Sequence, residues 1–214
     1  MIIAIDGPAA SGKSVTAKNV AKELKFVHIN TGLMYRAVTL CCLEKKINLD
    51  DEIALKKELR NFKINFNSQN KTFLNDVDVT KKLRIDAINN YVSKVSAIKF
   101  VRDKLVFQQR NIAIDNNVVM EGRDIGTTVF PNADHKFYLT ADIETRAKRR
   151  LKESKNSANN LKNVIDQIKK RDKFDKERKH SPLTVAPDAR IINTTNLTIV
   201  DQVEKIVNII KKER

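Results

Sequence analysis

The chain contains no tryptophan and only two cysteines, five glycines and four prolines among its 214 residues. Its cysteines, Cys41 and Cys42, are adjacent. Neighbouring thiols are poorly arranged for a structural disulfide, and no C-x-x-C pair or nearby histidine offers a zinc site. A disulfide scaffold and a zinc module are therefore excluded, and a reducing cytoplasm is the expected compartment. No uninterrupted apolar stretch approaches the ~18 residues of a membrane span. No basic segment precedes the first apolar run, so no signal peptide is expected. Aromatics are scarce at 6% and do not alternate with basic residues, so no base-stacking platform is expected. Acidic residues are in the minority, 26 against 41 Lys and Arg, for a formal net charge of +15. Two classes compete for that charge: a nucleic-acid binder and an enzyme that handles phosphates. The missing aromatics favour the enzyme, with further lysines on solvated faces and a Lys, Asn and Ile bias of coding composition.

What is present starts at once. The apolar run Ile2–Ile5 leads through Asp6 into Gly7-Pro8-Ala9-Ala10-Ser11-Gly12-Lys13-Ser14, followed by Val15, Val20 and Leu24 at helical spacing. Strand, Gly-x-x-x-x-Gly-Lys-Ser and helix form a phosphate-binding loop in its required context. Backbone N–H groups curl around phosphate oxygens, and the helix N-terminus adds partial positive charge. Lys13 can reach the β- and γ-phosphates, and the Ser14 hydroxyl can ligate Mg²⁺. The motif implies a nucleoside triphosphate and leaves the acceptor open.

Further along, 26–29 reads as a strand, 33–45 and 51–61 as helices, and 62–66 as a strand alternating in polarity. Turn chemistry at 67–70 and short apolar pieces through Val79 suggest a small antiparallel insert of about three strands. A short helix is expected within 80–90 and one long helix over 93–115. Strands follow at 118–120, 136–139 and 190–192. Residues 142–179 read as mostly helical with a looser centre at Ser154–Asn160, and 198–213 as a terminal helix. There are no internal repeats. The alternation predicts an α/β fold with a parallel sheet covered on both faces.

In such sheets ligands sit beyond the carboxyl ends of the strands. Arg36 follows the second strand and Arg123 follows the strand at 118–120. Arginine suits bidentate phosphate recognition, so two of them at ligand-side strand ends suggest a second phosphorylated ligand. The competing reading of each is a surface charge. Glu121 ends its strand where a carboxylate can serve Mg²⁺, and a capping or arginine-pairing role is equally open. Arg171, Asp175 and Arg178 share one helix face, a pattern that ordinarily marks a solvated, salt-bridged surface.

Taken together, these residues resemble the bacterial cytidylate kinases, P-loop nucleoside monophosphate kinases. The resemblance covers nearly the whole chain. It rests on Ile5–Ser14, on Thr31–Ala37, on Gly122-Arg123-Asp124-Ile125-Gly126-Thr127-Thr128-Val129-Phe130-Pro131, on Arg171–Arg178 and on Ser181-Pro182-Leu183. The segment from Gly122 to Pro131 is more discriminating than the phosphate loop. The resemblance implies a P-loop NTPase-type parallel sheet flanked by helices, with a small antiparallel insert and a helical lid. The core would comprise 1–50, 110–150 and 181–214. A monophosphate-binding region would span 51–109 with the insert at about 62–79, and the lid 151–180.

It also implies transfer of the γ-phosphate of ATP to CMP or dCMP, with Mg²⁺. ATP would be held by Gly7, Pro8, Ala9, Ala10, Ser11, Gly12, Lys13, Ser14 and Val15, with Arg146 and Arg150 facing it from the lid. Arg36 and Arg123 would grip the CMP phosphate. Thr31, Arg102, Asp124 and Arg178 would surround cytosine, and Ser93, Arg171 and Asp175 the sugar. Lys13, Arg36 and Arg123 would carry catalysis. Ser14 would ligate Mg²⁺, with Glu121 acting through water. A carboxylate at Asp124 can accept from the exocyclic amine of cytosine and would repel the carbonyl of uracil. Asn30 and Asn193 depart from the family, which usually has Asp at both places; shape is kept and a charge lost. No nucleic-acid or membrane partner is expected, and a monomer is the default. An adenylate- or shikimate-type kinase is the rival within enzymes, and a nucleotide-gated RNA-binding protein the rival outside them.

Overall fold

The computed structural model describes residues 1–67, 71–153 and 160–213. The turn expected at 68–70 and the looser stretch at 154–159 lie outside the described residues. The chain forms two compact units, one of Met1–Asn30 with Arg110–Arg214, the other of Thr31–Gln109.

The first unit is built on a five-stranded parallel sheet. Its strands are β1 (Ile2–Asp6), β2 (Val27–Asn30), β6 (Val118–Gly122), β7 (His135–Thr140) and β8 (Arg190–Asn193), in the order β2-β6-β1-β7-β8. The central strands β1, β6 and β7 are apolar almost without interruption and buried, as parallel strands covered on both faces require. In register, Asp6 lies beside Gly122 of β6 and Tyr138 of β7. The carboxyl ends of β1 and β6 are therefore level, and β7 runs two residues further to Thr140.

Helices α1 (Lys13–Leu24) and α8 (Ile199–Lys212) pack on this sheet. Ala17, Val20 and Ala21 of α1 meet Ile206, Val207 and Ile210 of α8 over Ile3, Ile5, Phe137 and Leu139. A reciprocal capping box starts α8: Asp201 Oδ2 accepts from the Thr198 backbone, and Thr198 Oγ1 accepts from the Asp201 N–H. Helices α6 (Ile143–Glu153) and α7 (Leu161–Glu177) pair through Ala147, Val164 and Ile168. After β6, residues Ile125–Val129 form one π-helical turn that the sequence pattern did not announce.

The second unit contains α2 (Thr31–Glu44), α3 (Glu52–Leu59), α4 (Asp86–Ala97), the main part of α5 (Lys99–Ala113) and a three-stranded antiparallel sheet. Strands β3 (Ile64–Phe66), β4 (Thr72–Leu74) and β5 (Val77–Asp78) make that sheet, so the expected insert of about three strands is present. Asn75 and Asp76, both at positive φ (47° and 67°), form the two-residue turn between β4 and β5. Helix α2, assigned to the core in the sequence reading, packs here against α4 and a 3₁₀ turn at Lys82–Arg84.

The single helix expected over 93–115 is two. Ile98 takes extended angles (φ −72°, ψ 119°) and separates α4 from α5. The break lets Val92 and Val95 on one side, and Val101 and Leu105 on the other, enter the same core. Arg102 stabilises it by donating Nη1 to the Ser96 carbonyl at 3.0 Å near the end of α4. The short helix expected within 80–90 is correspondingly replaced by the 3₁₀ turn and the first turn of α4.

Candidate active site

The phosphate loop runs from β1 into α1. At Gly7 a Cβ would lie 2.1 Å from the Leu139 carbonyl, so no side chain fits there. Ala10 and Gly12 have left-handed φ of 56° and 92°, and Gly12 leads directly into α1. Lys13 Nζ donates to the Pro8 carbonyl at 2.8 Å, folding its side chain back along the loop. Burial pushes the Lys13 ammonium down to about 7; Arg123 and Arg171 push the same way, against Glu121 and Asp175. Converging cations that depress one another mark a place prepared for an anion.

Ser14 Oγ donates to Glu121 Oε2 at 2.6 Å, and His28 Nε2 lies 3.3 Å from Glu121 Oε1. Glu121 is thus beside Ser14, as its position at the end of β6 suggested. Among the described residues no group of three or more His, Cys, Asp or Glu is gathered to hold a metal. One hydroxyl and one carboxylate do suit Mg²⁺, which commonly takes its remaining ligands from phosphates and water.

The loop is braced from behind. Arg146, expected to face ATP, is buried and donates to the carbonyls of Ala9 and Ala141 and to Asp172. Asp172 in turn accepts from the Ala9 N–H at 3.2 Å. Arg150 is more open, with Nη1 3.8 Å from Glu153 Oε2. Arg149, which no motif singles out, donates to Thr194 Oγ1 at 2.9 Å and to the Thr194 carbonyl at 2.6 Å. Thr194 Oγ1 donates to the Ser11 carbonyl at 3.0 Å. The spacing of Arg149 three residues after Arg146 was the available signal. Its long-range partner at Thr194 was not visible in sequence.

Beyond β6, the residues expected to meet the acceptor nucleotide come together. Arg123 Nε donates to Asp175 Oδ2 at 2.9 Å. Arg178 donates Nε to the Ser181 carbonyl at 2.6 Å and approaches Asp124 Oδ1 at 3.4 Å through Nη2. The α7 face bearing Asp172 and Asp175, with Arg178 at its end, is buried. It is therefore not the solvated surface that such charge runs usually mark. Arg171 keeps its Nε buried without a hydrogen-bond partner. Burial lowers the Arg171 guanidinium to about 10, and the neighbouring Arg123 adds to that shift. Burial works against the charge on Asp175, yet Arg123 and Arg171 hold its carboxyl below the usual range.

The remaining expected residues belong to the second unit. Thr31 is buried in the first turn of α2. Arg36 Nη1 donates to the Leu83 carbonyl at 2.9 Å. The Arg102 guanidinium lies 5.4 Å from the ring centre of Tyr35. Ser93 is on α4, and its carbonyl accepts from Ser96 Oγ at 2.9 Å.

Sequence comparison gives concordant matches. The profile of the family described as Cytidylate kinase matches residues 3–212. A cytidylate kinase of Clostridium botulinum (strain Okra / Type B1) is 48% identical over 99% of this chain and 98% of its own length. One from Fusobacterium nucleatum subsp. nucleatum is 48% identical over 100% of this chain and 96% of its own length. Among solved structures, a shikimate kinase from Bacteroides thetaiotaomicron superposes with a TM-score of 0.50 at 12% identity, covering 99% of this chain and 98% of its own. At that identity the likeness speaks for the fold alone.

Proposed function

The chain belongs to the cytidylate kinase family, and on that premise we propose that it transfers the γ-phosphate of ATP to CMP or dCMP, giving ADP and CDP or dCDP. The observation that carries the reading is the charged cluster beyond β6, in which Asp124, Asp175 and Arg178 are buried, Arg123 pairs with Asp175, and Arg123 and Arg171 both act on the Lys13 ammonium of the phosphate loop. It provides charge for an acceptor phosphate and a carboxylate for a base beside the donor loop.

In this reading an oxygen of the CMP phosphate attacks the γ-phosphorus. The new P–O bond forms as the bond to the bridging oxygen breaks, and that electron pair leaves on ADP. The attacking oxygen is already ionised near neutral pH, so no strong general base is needed. Catalysis is then positioning and charge stabilisation. Lys13 follows the moving phosphoryl group, and Arg36 and Arg123 neutralise the acceptor phosphate. Ser14 would hold Mg²⁺, with Glu121 reaching it through water; when bound, the metal offsets charge on the β- and γ-oxygens. Thr31, Arg102, Asp124 and Arg178 take cytosine, and Ser93, Arg171 and Asp175 the sugar. The phosphate loop through Val15 takes ATP. Arg146 acts by bracing that loop at Ala9, Arg150 faces ATP from the segment just before the lid, and the lid at 151–180 closes to exclude water. The region 51–109 serves the monophosphate. In this reading the protein works as a monomer in the cytoplasm, a reducing compartment in which its two free cysteines stay thiols.

The test is ADP release from ATP with a panel of CMP, dCMP, UMP, AMP and shikimate. Turnover with CMP and dCMP is expected. Preferential turnover of AMP or shikimate would assign the acceptor site to another class.

A further inference from the structure

Asp6 ends β1 immediately before the first glycine of the phosphate loop, and neither the loop motif nor the proposed chemistry gives it a task. It is 5% exposed. Its Oδ1 accepts from the Ile125 N–H at 2.9 Å, and its Oδ2 from the Gly126 N–H at 2.8 Å. These amides open the π-helical turn that follows Arg123 and Asp124, where first-turn N–H groups lack acceptors of their own. The turn otherwise closes on Asp124, whose carbonyl accepts from Thr128 at 2.8 Å and Val129 at 3.2 Å. We propose that Asp6 is a positioning residue that ties the turn carrying Arg123 and Asp124 to the start of the phosphate loop, and so sets the recognition of CMP over UMP.

The chemistry requires a carboxylate. Both oxygens accept from backbone donors, so an amide at this position would turn an NH₂ against one N–H. A smaller side chain would leave two buried amides without partners. Burial pushes the Asp6 carboxyl up to about 6, partly offset by the two N–H groups and Lys13, while Asp124 adds to the rise. The fold keeps an acid there although burial opposes its charge. On the other side of the turn, a Cβ at Gly126 would lie 3.1 Å from Lys136 Cδ and 3.5 Å from Asp6 Oδ2. The Lys136 ammonium is held by Asp188 at 2.8 Å, so its stem is not free to withdraw. The turn is therefore located from two sides.

The inference rests on the cytidylate kinase reading, and the test separates the two. Wild type and Asp6→Asn are compared for KM and kcat with CMP, UMP and ATP, and for folding by circular dichroism and melting temperature. For a folded Asp6→Asn variant, KM for CMP should rise about tenfold or more. KM for ATP should stay within about threefold, and the CMP-to-UMP preference should fall by part of the CMP factor, since Arg123 serves the phosphate of either nucleotide and Asp124 the base alone. A merely structural role would lower active fraction without changing that preference. Should Asp6→Asn not fold, Gly126→Ala carries the same test, because its methyl pushes the same turn. A wild type that fails to phosphorylate CMP overturns the underlying reading. A wild type that does so, with a folded variant of unchanged preference or with KM for ATP raised as much as KM for CMP, overturns the inference alone.

Discussion

Lys13 shows how a single residue is tuned by its setting. Its side chain is buried, and two arginines stand on the same side of the balance, so its ammonium is lowered to about 7. At pH 8 the free protein therefore holds Lys13 largely neutral, and at pH 6 it holds it charged. A bound triphosphate favours the charged form and raises the value again. ATP binding should take up a substantial fraction of a proton at pH 8 and almost none at pH 6. Calorimetry in buffers of different ionisation enthalpy measures this directly; equal uptake at both pH values would count against a depressed lysine. Asp124 offers a second residue-scale test. Asp124→Ala should lower kcat/KM for CMP by about 10- to 100-fold, because the exocyclic amine loses its acceptor. Affinity for ATP, measured by the same calorimetry, should hold within a few-fold. Equal losses with CMP and UMP would speak against base readout by this carboxylate.

Lys13, Ser14, Arg123 and Asp124 were legible in the sequence because each sits at a fixed offset from a motif or a strand end. Asp6 and Arg149 were not. The hydrogen-bond partners of Asp6 are 119 and 120 residues away, and Arg149 meets Thr194 across 45. Sequence spacing carries no information about such meetings. Arg146, expected to face ATP, has its guanidinium taken up by the loop backbone and Asp172.

At the scale of elements, α8 gives the clearest energetic expectation. Ile206 is fully buried between α1 and the sheet, whereas Val200 on the same helix is 63% exposed. Ile206→Ala should cost about 2–5 kcal/mol of unfolding free energy. Val200→Ala should fall within about 0.5 kcal/mol of wild type. Urea unfolding of the two variants checks the contrast. The strands and α8 were found by their patterns, continuous apolar runs for the parallel sheet and a 3.6-residue stripe for the helix. The division of α4 from α5 was hidden because Val95, Ile98, Val101 and Leu105 keep one stripe across the break. Only the placement of Arg102 on the Ser96 carbonyl shows how the interruption is sustained. The π-helical turn was hidden for a similar reason: its first amides are satisfied by a side chain from another strand.

For the whole molecule, the net charge of +15 is the dominant long-range feature. A positive field speeds the arrival of anionic nucleotides and is screened by salt. Raising ionic strength should therefore lower kcat/KM for CMP and for ATP while leaving kcat at saturation nearly unchanged. Steady-state kinetics in a potassium chloride series tests this. A kcat that falls in parallel would assign the salt effect to the site itself. The two compact units divide the expected contacts, with the phosphate loop, Arg123, Asp124 and the α7 residues in one, and Thr31, Arg36, Ser93 and Arg102 in the other.

By itself the sequence determined the chemistry on offer: a phosphate loop of glycines, lysine and serine, and arginines after strands whose guanidinium groups suit an anion. It also determined the parallel sheet and the antiparallel insert. These follow from local properties: backbone freedom, side-chain charge, and the period of apolar residues. Tertiary structure alone decided which charged groups are buried together and which are spent as braces. Burial shifts Lys13, Arg171 and Asp6, and burial depends on chain segments far apart in sequence. The same holds for the turn beyond β6, whose position is fixed by a carboxylate at the far end of the chain's first strand.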